Sequence, residues 1–351
     1  MQAQLPNNLT FDVRNGSTGA ALFVATDAAG TERLLKLHGV ASPMVSQTKL
    51  ELQRQLYARR HILRREVSLA RFLSPLAAEC GLGHVSVMEE VTHVRAVIPG
   101  TGELLEEHHA VLSERARGIN LEDLTNKLPP EALLALMARV PHDAVRDAAL
   151  FDLLFLQGDR HSENVFIDAD GALKLIDTRD AALDDALNSL FYPSAFYFQR
   201  NLVGELHLRD RSTPVVTHHW PQCLLDFRCH VPRGAIGTKH LPPKLRACLT
   251  DWTAMSPAAF QAAKFPVTFE ERAPVMRAAE RLHAQARGLL QHGFEGLLVA
   301  TRHRNSSRVV PHTFGFVADD PCCELALRRI ADGSPGYECT QRGRQLLLPE
   351  T

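Results

Sequence analysis

The sequence has no charge imbalance and no long apolar run, and these two absences argue against several classes of protein. Lys plus Arg number 39 against 40 Asp plus Glu, so net charge favours neither a nucleic-acid-binding protein nor a membrane-seeking surface. No apolar run approaches the ~20 residues of a membrane span. Residues 1–10 contain no basic region followed by an apolar core, as a secretory leader would. We therefore predict a soluble, intracellular, cytoplasmic protein without a transmembrane segment or a nucleic-acid partner.

Cysteine spacing typical of a metal finger is also missing. The seven cysteines are an odd number without paired spacing, which favours buried or free thiols in a reducing compartment. The histidine pairs at 108–109 and 218–219 have no further Cys or His at helical or knuckle spacing, so no zinc site is predicted. The chain has no internal repeats, and its 351 residues can hold one two-lobed catalytic domain or two small domains.

One stretch stands out, because an apolar helix end leads through a charged loop into an apolar hairpin. The loop reads Gly-Asp-Arg-His-Ser-Glu-Asn over residues 158–164, and the hairpin turns through Asp-Ala-Asp-Gly at 168–171. Asp159 and Asn164 precede the hairpin and Asp177 ends it, so we expect the three to converge at one mouth. Their oxygen atoms are hard ligands that suit magnesium, which waters and nucleotide phosphates would complete. The alternative is that these residues serve only the turns.

The spacing of these three residues matches the protein-kinase template: a catalytic Asp, a metal-binding Asn five positions later, and a second metal-binding Asp after a hairpin. The loop sequence Gly-Asp-Arg-His-x-x-Asn resembles the catalytic loop of the phosphatidylinositol 3- and 4-kinases and, more loosely, that of HipA-like kinases. The resemblance implies ATP as phosphate donor, Asp159 as the catalytic residue, and Asn164 and Asp177 as ligands of Mg²⁺, with Mn²⁺ as the alternative ion. Arg160 and His161 are then supporting residues.

The residues after Asp177 depart from that family. Thr178-Arg179 stand where the family usually has Phe-Gly, so the switch in which the Phe flips is not expected in that form. Residues 178–185 contain one Arg against three Asp, which would repel the anionic headgroup of an inositol lipid. A protein hydroxyl is therefore the expected acceptor, ahead of a small uncharged or cationic molecule and of a phosphoinositide.

The start of the chain reads as a hairpin with a glycine-rich tip. Apolar runs at 9–14 and 20–26 flank this tip. Its backbone and hydroxyl groups could cover a nucleotide phosphate, through Gly16, Ser17, Thr18 and Gly19. Any hairpin can turn through such residues, so the signal gains weight only from the strand that comes next in the chain.

A lysine interrupts the apolar third strand, at residues 31–37. The kinase resemblance implies that this residue, Lys36, binds the ATP phosphates and pairs with a Glu of the following helix. Apolar periodicity predicts that helix over residues 47–73, and Glu66 on its apolar second half is the expected partner, with Glu51 as the rival. The alternative for Lys36 is an edge-strand lysine that faces water.

A polar stretch at 114–118 resembles a kinase hinge, in which backbone groups near Glu114 and Ala116 would bind the adenine edge. The alternative is an ordinary interlobe linker. β-branched content predicts strands on the N-terminal side of this stretch, at 85–98 and 109–112. Asn120 is expected to cap a short helix after it. Helical patterns then follow at 130–140, 141–157, 245–252, 258–264 and 274–290.

Together these features predict an α+β, two-lobed protein-kinase-like fold. Residues 8–113 form a small β-rich N-lobe, 114–118 the hinge, 119–300 a larger, mainly helical C-lobe, and 301–351 a partly mobile C-terminal extension. The predicted function is an atypical protein kinase that transfers phosphate from ATP, with magnesium, to a hydroxyl acceptor. A nucleotide-binding pseudokinase or scaffold is the rival class, and a phosphoinositide kinase and an AMP transferase are further alternatives, because fold analogy does not fix a substrate.

Overall fold

The computed structural model combines helices with small antiparallel sheets, as the sequence predicts for an α+β protein. It describes residues 20–26, 32–41, 71–97, 104–157, 160, 162–178, 224–230, 241–266, 272–293, 325–329 and 335–339. No helix within those ranges combines the length and the apolar character that a membrane crossing requires.

Four strands form the first sheet, in the spatial order β1, β2, β4, β3, with all neighbours antiparallel. They are β1 (Ala20–Thr26), β2 (Glu32–Ala41), β3 (Glu89–Val97) and β4 (Leu104–Glu114). The strands predicted in these places are confirmed, although β2 and β4 are longer than the pattern indicated. Lys36 lies on β2, opposite Leu22 of β1 and Val111 of β4. Because β2 has a neighbour on each side, the alternative of a lysine on an edge strand is wrong.

Residues 71–79 form a helix, here called α1, which overlaps the end of the helix predicted over residues 47–73 and ends later than the pattern indicated. The rest of that prediction, residues 47–70 with Glu51 and Glu66, lies outside the described residues. The chain then turns and runs extended from Val85 to the start of β3. Leu175 pairs with this extended run, because its N–H donates to the Val85 carbonyl at 2.7 Å and its carbonyl accepts from the Val87 N–H at 2.9 Å.

A disulfide joins Cys80, the residue after α1, to Cys248, and their Cα atoms are 5.1 Å apart. Both cysteines are buried, and Cys229 is also disulfide-bonded. The prediction of free thiols is therefore wrong for these residues. Sequence spacing could not show the pairing, because 168 positions separate the two cysteines and only the packed structure brings them together.

The second sheet is the predicted hairpin with one added strand, in the order β5 (Ile119–Asn120), β6 (Val165–Ile167), β7 (Leu173–Leu175). Its turn is built as the sequence predicts: the Asp168 carboxylate accepts the backbone N–H groups of Asp170 and Ala172, at 3.0 and 2.8 Å. Gly171 has a φ of +88°, and a Cβ there would meet the Arg139 carbonyl oxygen at 2.6 Å. A glycine is required for both reasons.

Within the described ranges, six further helices carry most of the core. Asn120 caps the first of them, because its side-chain oxygen accepts the Asp123 N–H at 2.7 Å, as predicted. The last of them contacts the three before it and buries one face, including Ala279, Leu282 and Leu289, as its periodicity predicts. The six are α2 (Leu121–Lys127), α3 (Pro130–Met137), α4 (His142–Leu154), α5 (Pro243–Ala254), α6 (Pro257–Lys264) and α7 (Arg272–His292).

The C-terminal extension contains a β-hairpin that the sequence pattern did not predict. Its strands are β8 (Leu325–Arg329) and β9 (Pro335–Cys339), which pair antiparallel. Each strand has five residues and the second contains Pro335 and Gly336, which weaken a strand pattern.

Candidate functional site

Lys36 and Asp177 meet although 141 positions separate them in the chain. The Lys36 ammonium Nζ lies 3.2 Å from Asp177 Oδ1, and each side chain is 18% exposed. Lys36 comes from the first sheet, and Asp177 follows β7 of the second. This partly buried ion pair therefore marks the place where the two sheets face each other.

Asp177 has an unusual backbone conformation. Its φ is +53°, in the left-handed region that costs a residue with a Cβ of the order of 1 kcal/mol. Such a conformation persists only where the surrounding structure holds it. The groups that hold the backbone around Asp177 are therefore part of the site.

Arg160 holds the residue before Asp177. Its side chain is buried, and its Nη1 donates to the Asn164 carbonyl at 3.0 Å and to the Ile176 carbonyl at 2.7 Å. Its Nε donates to the Asp152 carboxylate of α4, at 3.1 and 3.2 Å. One guanidinium thus joins the segment 160–164 and the end of the hairpin to α4. The supporting role in catalysis that the sequence predicts for Arg160 stays a prediction.

Gln157 holds Asp177 itself. Its side-chain Nε2 donates to the Asp177 carbonyl at 3.0 Å, and the residue is 1% exposed. Its Oε1 is buried and has no hydrogen-bond partner among the described residues. Sequence reasoning missed both Gln157 and Asp152. The available signal was a polar residue within the apolar run 150–156, because a carboxylate inside such a run needs a buried partner.

Asn164 is buried at the end of a short 3-10 turn, Ser162–Asn164. Its carbonyl accepts the Ile176 N–H at 3.1 Å, which places its backbone beside the residue that precedes Asp177. Ser162 in the same turn donates its hydroxyl to the Glu122 carboxylate of α2 at 2.6 Å. The structure thus brings the Asn164 and Asp177 segments together, as the predicted metal site requires. Their role in binding metal stays a prediction.

The predicted hinge contacts the extended run before β3. The Glu114 N–H donates to the Met88 carbonyl at 2.9 Å, and the Glu114 carboxylate accepts the Met88 N–H at 3.4 Å. Lys174 of β7 lies 3.7 Å from the same carboxylate. The Glu114 N–H is therefore already engaged and is removed from the candidate adenine contacts. Ala116 is half-buried, and its contact with adenine remains a prediction.

Several predicted site residues lie outside the described residues, so their roles stay predictions. They are the catalytic Asp159, the supporting His161, the phosphate-covering Gly16, Ser17, Thr18 and Gly19, and the Lys36 partner Glu66.

Two groups with shifted pKa values lie elsewhere, on or beside α4. Burial raises the pKa of Asp147 above its ordinary value, although Arg146 and, to a smaller extent, His84 act against the rise. Burial, with a smaller contribution from neighbouring His142, lowers the pKa of His230 to about 4, although the hydrogen bond to the Leu224 carbonyl acts against the fall. The two histidine Nδ1 atoms are 2.8 Å apart. Among the described residues no group of three or more His, Cys, Asp or Glu side chains could hold a metal ion.

Comparison with known proteins adds a weak likeness to a solved structure. No protein-family model matches the chain, and no curated protein matches it. A solved structure of the Rio2 kinase from Chaetomium thermophilum, in a complex with ADP, Mg²⁺ and phosphoaspartate, is 12% identical with a TM-score of 0.31, over 86% of this chain and 72% of that chain. This TM-score is too low to carry a conclusion about the fold or the activity of this chain.

Proposed function

We propose that the chain is an ATP- and magnesium-dependent phosphotransferase with a two-lobed, protein-kinase-like fold of the atypical branch that resembles the phosphatidylinositol 3- and 4-kinases. One observation carries the proposal: Lys36 Nζ lies 3.2 Å from Asp177 Oδ1. In the kinase template the lysine of the third strand binds the phosphates and the Asp after the hairpin binds the metal that bridges those phosphates. The two side chains must therefore face one point, and here they do.

The available donor set fits a small hard cation better than a transition metal. A buried carboxamide, Asn164, and a carboxylate, Asp177, offer oxygen ligands. Mg²⁺ usually takes one or two protein ligands and completes its shell with waters and substrate phosphates, so it needs no full protein cage. When bound, the ion would neutralise the charge that develops on the transferred phosphoryl group. Mn²⁺ has the same ligand preference and is the alternative ion.

The remaining roles rest on the sequence. Asp159 orients or deprotonates the acceptor hydroxyl, and Glu66 positions Lys36 when nucleotide is bound. The tip of the first hairpin, residues 16–19, covers the phosphates. In the described structure Lys36 contacts Asp177. The Lys36–Glu66 ion pair in the nucleotide-bound state stays a prediction. Phosphates and metal would then compete for Lys36 and Asp177.

A protein hydroxyl is the proposed acceptor. The single Arg against three Asp in residues 178–185 disfavours an anionic lipid headgroup beside the metal site. A small uncharged or cationic molecule is the second choice. Labelled ATP offered side by side with a peptide library and with phosphoinositide vesicles distinguishes these acceptors, and label that enters lipid preferentially would overturn the protein assignment.

The location of the protein is open to a direct test. The sequence predicts the cytoplasm, whereas disulfides such as Cys80–Cys248 persist mainly in oxidising compartments. The two predictions are incompatible for most organisms. Alkylation of the protein during denaturation of its own cell extract without reductant, followed by mass measurement, decides, because denaturation exposes both buried cysteines. Two unmodified cysteines at these positions favour an oxidising compartment, and two alkylated cysteines favour the cytoplasm.

The change Asp177→Asn tests the function itself, because it removes a charged metal ligand and hardly alters the shape of the side chain. We expect phosphoryl transfer to fall by orders of magnitude. The melting temperature in the absence of ligand should fall only slightly, because Lys36 loses the charge of its partner but remains partly exposed to water. Mass spectrometry of protein and substrates after incubation with ATP and Mg²⁺ provides the readout. Added phosphate supports a kinase, added AMP supports an AMP transferase, and ATP binding without addition supports a pseudokinase. Full activity of Asp177→Asn would contradict the metal assignment.

A further inference from the structure

Thr178, the residue directly after Asp177, is fixed by a hydrogen bond to the start of β3. It is 2% exposed, and its hydroxyl donates to Glu89 Oε2 at 2.8 Å. A hydroxyl that donates to a carboxylate makes a charge-assisted bond, and burial strengthens such a bond. The contact joins residues that are 89 positions apart.

Glu89 is itself tied to α1. Its backbone N–H donates to the Ser74 hydroxyl at 2.9 Å, and Ser74 is 4% exposed. Glu89 thus uses its backbone toward α1 and its side chain toward Thr178. A movement of α1 along β3 would therefore pull on the residue next to Asp177.

The two segments that carry this contact already run side by side. Leu175 exchanges backbone hydrogen bonds with Val85 and Val87, and Lys174 Nζ donates to the Ser86 carbonyl at 3.4 Å. The Thr178–Glu89 bond extends this alignment past Asp177. It lies where the backbone has just passed through the left-handed conformation of Asp177, φ +53°.

The backbone of Asp177 is consequently held on both sides. Arg160 and Gln157 bind the carbonyl groups of Ile176 and Asp177, and Glu89 binds the side chain of Thr178. The first two contacts restrain the backbone at residues 176 and 177. The third restrains the residue after Asp177 and is the one that connects to α1 through β3.

We propose that Thr178 and Glu89 form a latch that positions Asp177 beside Lys36 and couples its carboxylate to helix α1. Thr178 occupies the position at which the resembling kinases have the Phe of Phe-Gly. Its contact with Glu89 is a hydrogen bond, whereas a Phe would make apolar contacts. Both residues act through Asp177 in this proposal, so both are positioning residues. This inference rests on the proposed function only for what Asp177 then binds, because the latch itself is a contact of the protein alone.

Matched substitutions separate the hydroxyl from the rest of the side chain. Thr178→Val keeps the shape and loses the hydroxyl, Thr178→Ser keeps the hydroxyl, and Glu89→Gln keeps the size and loses the charge. The first measurement is amide hydrogen exchange of the full-length protein without ligand. We expect faster exchange over residues 174–178 in Thr178→Val and Glu89→Gln, and exchange close to that of the parent protein in Thr178→Ser. Unchanged exchange in folded Thr178→Val would overturn the latch.

The second measurement is the Mg²⁺ concentration that gives half-maximal ATP binding, by calorimetric titration of the same proteins. We expect the midpoint to rise about tenfold in Thr178→Val and Glu89→Gln, as for the loss of one charge-assisted hydrogen bond, and to stay near the parent value in Thr178→Ser. A packing role alone would lower the melting temperature without moving this midpoint. Faster exchange with an unmoved midpoint would overturn the coupling to metal. Parent protein without Mg²⁺-dependent ATP binding would sink the proposed function, while the exchange experiment still decides the latch.

Discussion

Two carboxylates of α4 each face an arginine, but the two pairs differ in what surrounds them. Near the C-terminal end of the helix the Asp152 and Arg160 side chains are 1% and 0% exposed, and Arg160 also binds two backbone carbonyls of the site. Near the middle of the helix the Asp147 side chain is 10% exposed, and that of its partner Arg146 is 29% exposed. The first pair fixes a loop to the helix, whereas the second leaves a partly desolvated acid.

The difference shows when an ion pair matters for the stability of the fold. Arg160 donates to three acceptors that the chain supplies, so removing it breaks all of these buried hydrogen bonds at once. Arg146 lies partly in water, which can take over its role. Burial then dominates at Asp147 and raises its pKa despite the nearby Arg146.

The largest expected effect comes from breaking the buried Asp152–Arg160 pair. Arg160→Met should lower the free energy of unfolding by about 3–5 kcal/mol, because it removes the buried guanidinium that the buried Asp152 carboxylate faces. Arg146→Met is the matched control at the more exposed Asp147–Arg146 pair, and it should lower the free energy of unfolding by about 1 kcal/mol or less. Urea unfolding of both variants measures the contrast. If Arg160→Met does not fold, Arg160→Lys keeps the charge without the planar fork and should show an intermediate loss; equal small losses for Arg160→Met and Arg146→Met would contradict the comparison.

The next largest effect is expected from the Cys80–Cys248 disulfide, which involves neither charge pair. Changing Cys80 and Cys248 to Ala opens the disulfide between the end of α1 and α5, and we expect a loss of about 2–4 kcal/mol, chiefly because the unfolded chain gains freedom. Cys80→Ala alone should cost nearly as much as the double change, since either opens the same bridge. Denaturant midpoints under non-reducing conditions test this. A double variant as stable as the parent protein would show that the bridge does not hold these elements.

The smallest expected effect is a dependence of the unfolding free energy on pH, caused by His230, which contacts His142 at the N-terminal end of α4. His230 has a folded pKa of about 4, below the ordinary value near 6.5, so the unfolded chain binds its proton first as pH falls. The stability from neutral His230 is complete above pH ~6.5 and is lost as pH falls toward ~4. Asp147, whose pKa is raised, acts in the opposite direction, because its folded form binds a proton more readily.

The substitution His230→Gln should flatten the fall of unfolding free energy between pH ~6.5 and ~4. His142→Gln is the control, because it keeps His230 and its bond to the Leu224 carbonyl and should retain most of the slope. Thermal unfolding at closely spaced pH values gives the comparison. Parallel curves for His230→Gln and the parent protein would assign the slope to other groups.

Local patterns predicted the elements that carry the site. The Gly171 turn, the Asn120 cap and the apolar face of α7 follow from chemistry within a few residues, and each lies where the sequence indicated. Helix and strand ends were less well predicted. The end of α1 at residue 79 depends on its packing, and the short β8–β9 hairpin has a weak pattern.

The candidate site was predicted in its residue types and not in its contacts. Spacing singled out Lys36, Asn164 and Asp177, because a template of residue types survives in the linear order. It gave no indication that Glu89 would bind Thr178, since no sequence rule links a strand's first residue to a loop 89 positions away.

The sequence by itself therefore determined the hairpin, the caps, the amphipathic faces and the identity of the chemical groups, because these depend on neighbours along the chain. Tertiary structure alone decided which groups meet: Lys36 with Asp177, Arg160 with Asp152, and Cys80 with Cys248. Each of these contacts forms because the collapse of a common core brings distant segments together, and its free energy depends on the burial that the collapse creates.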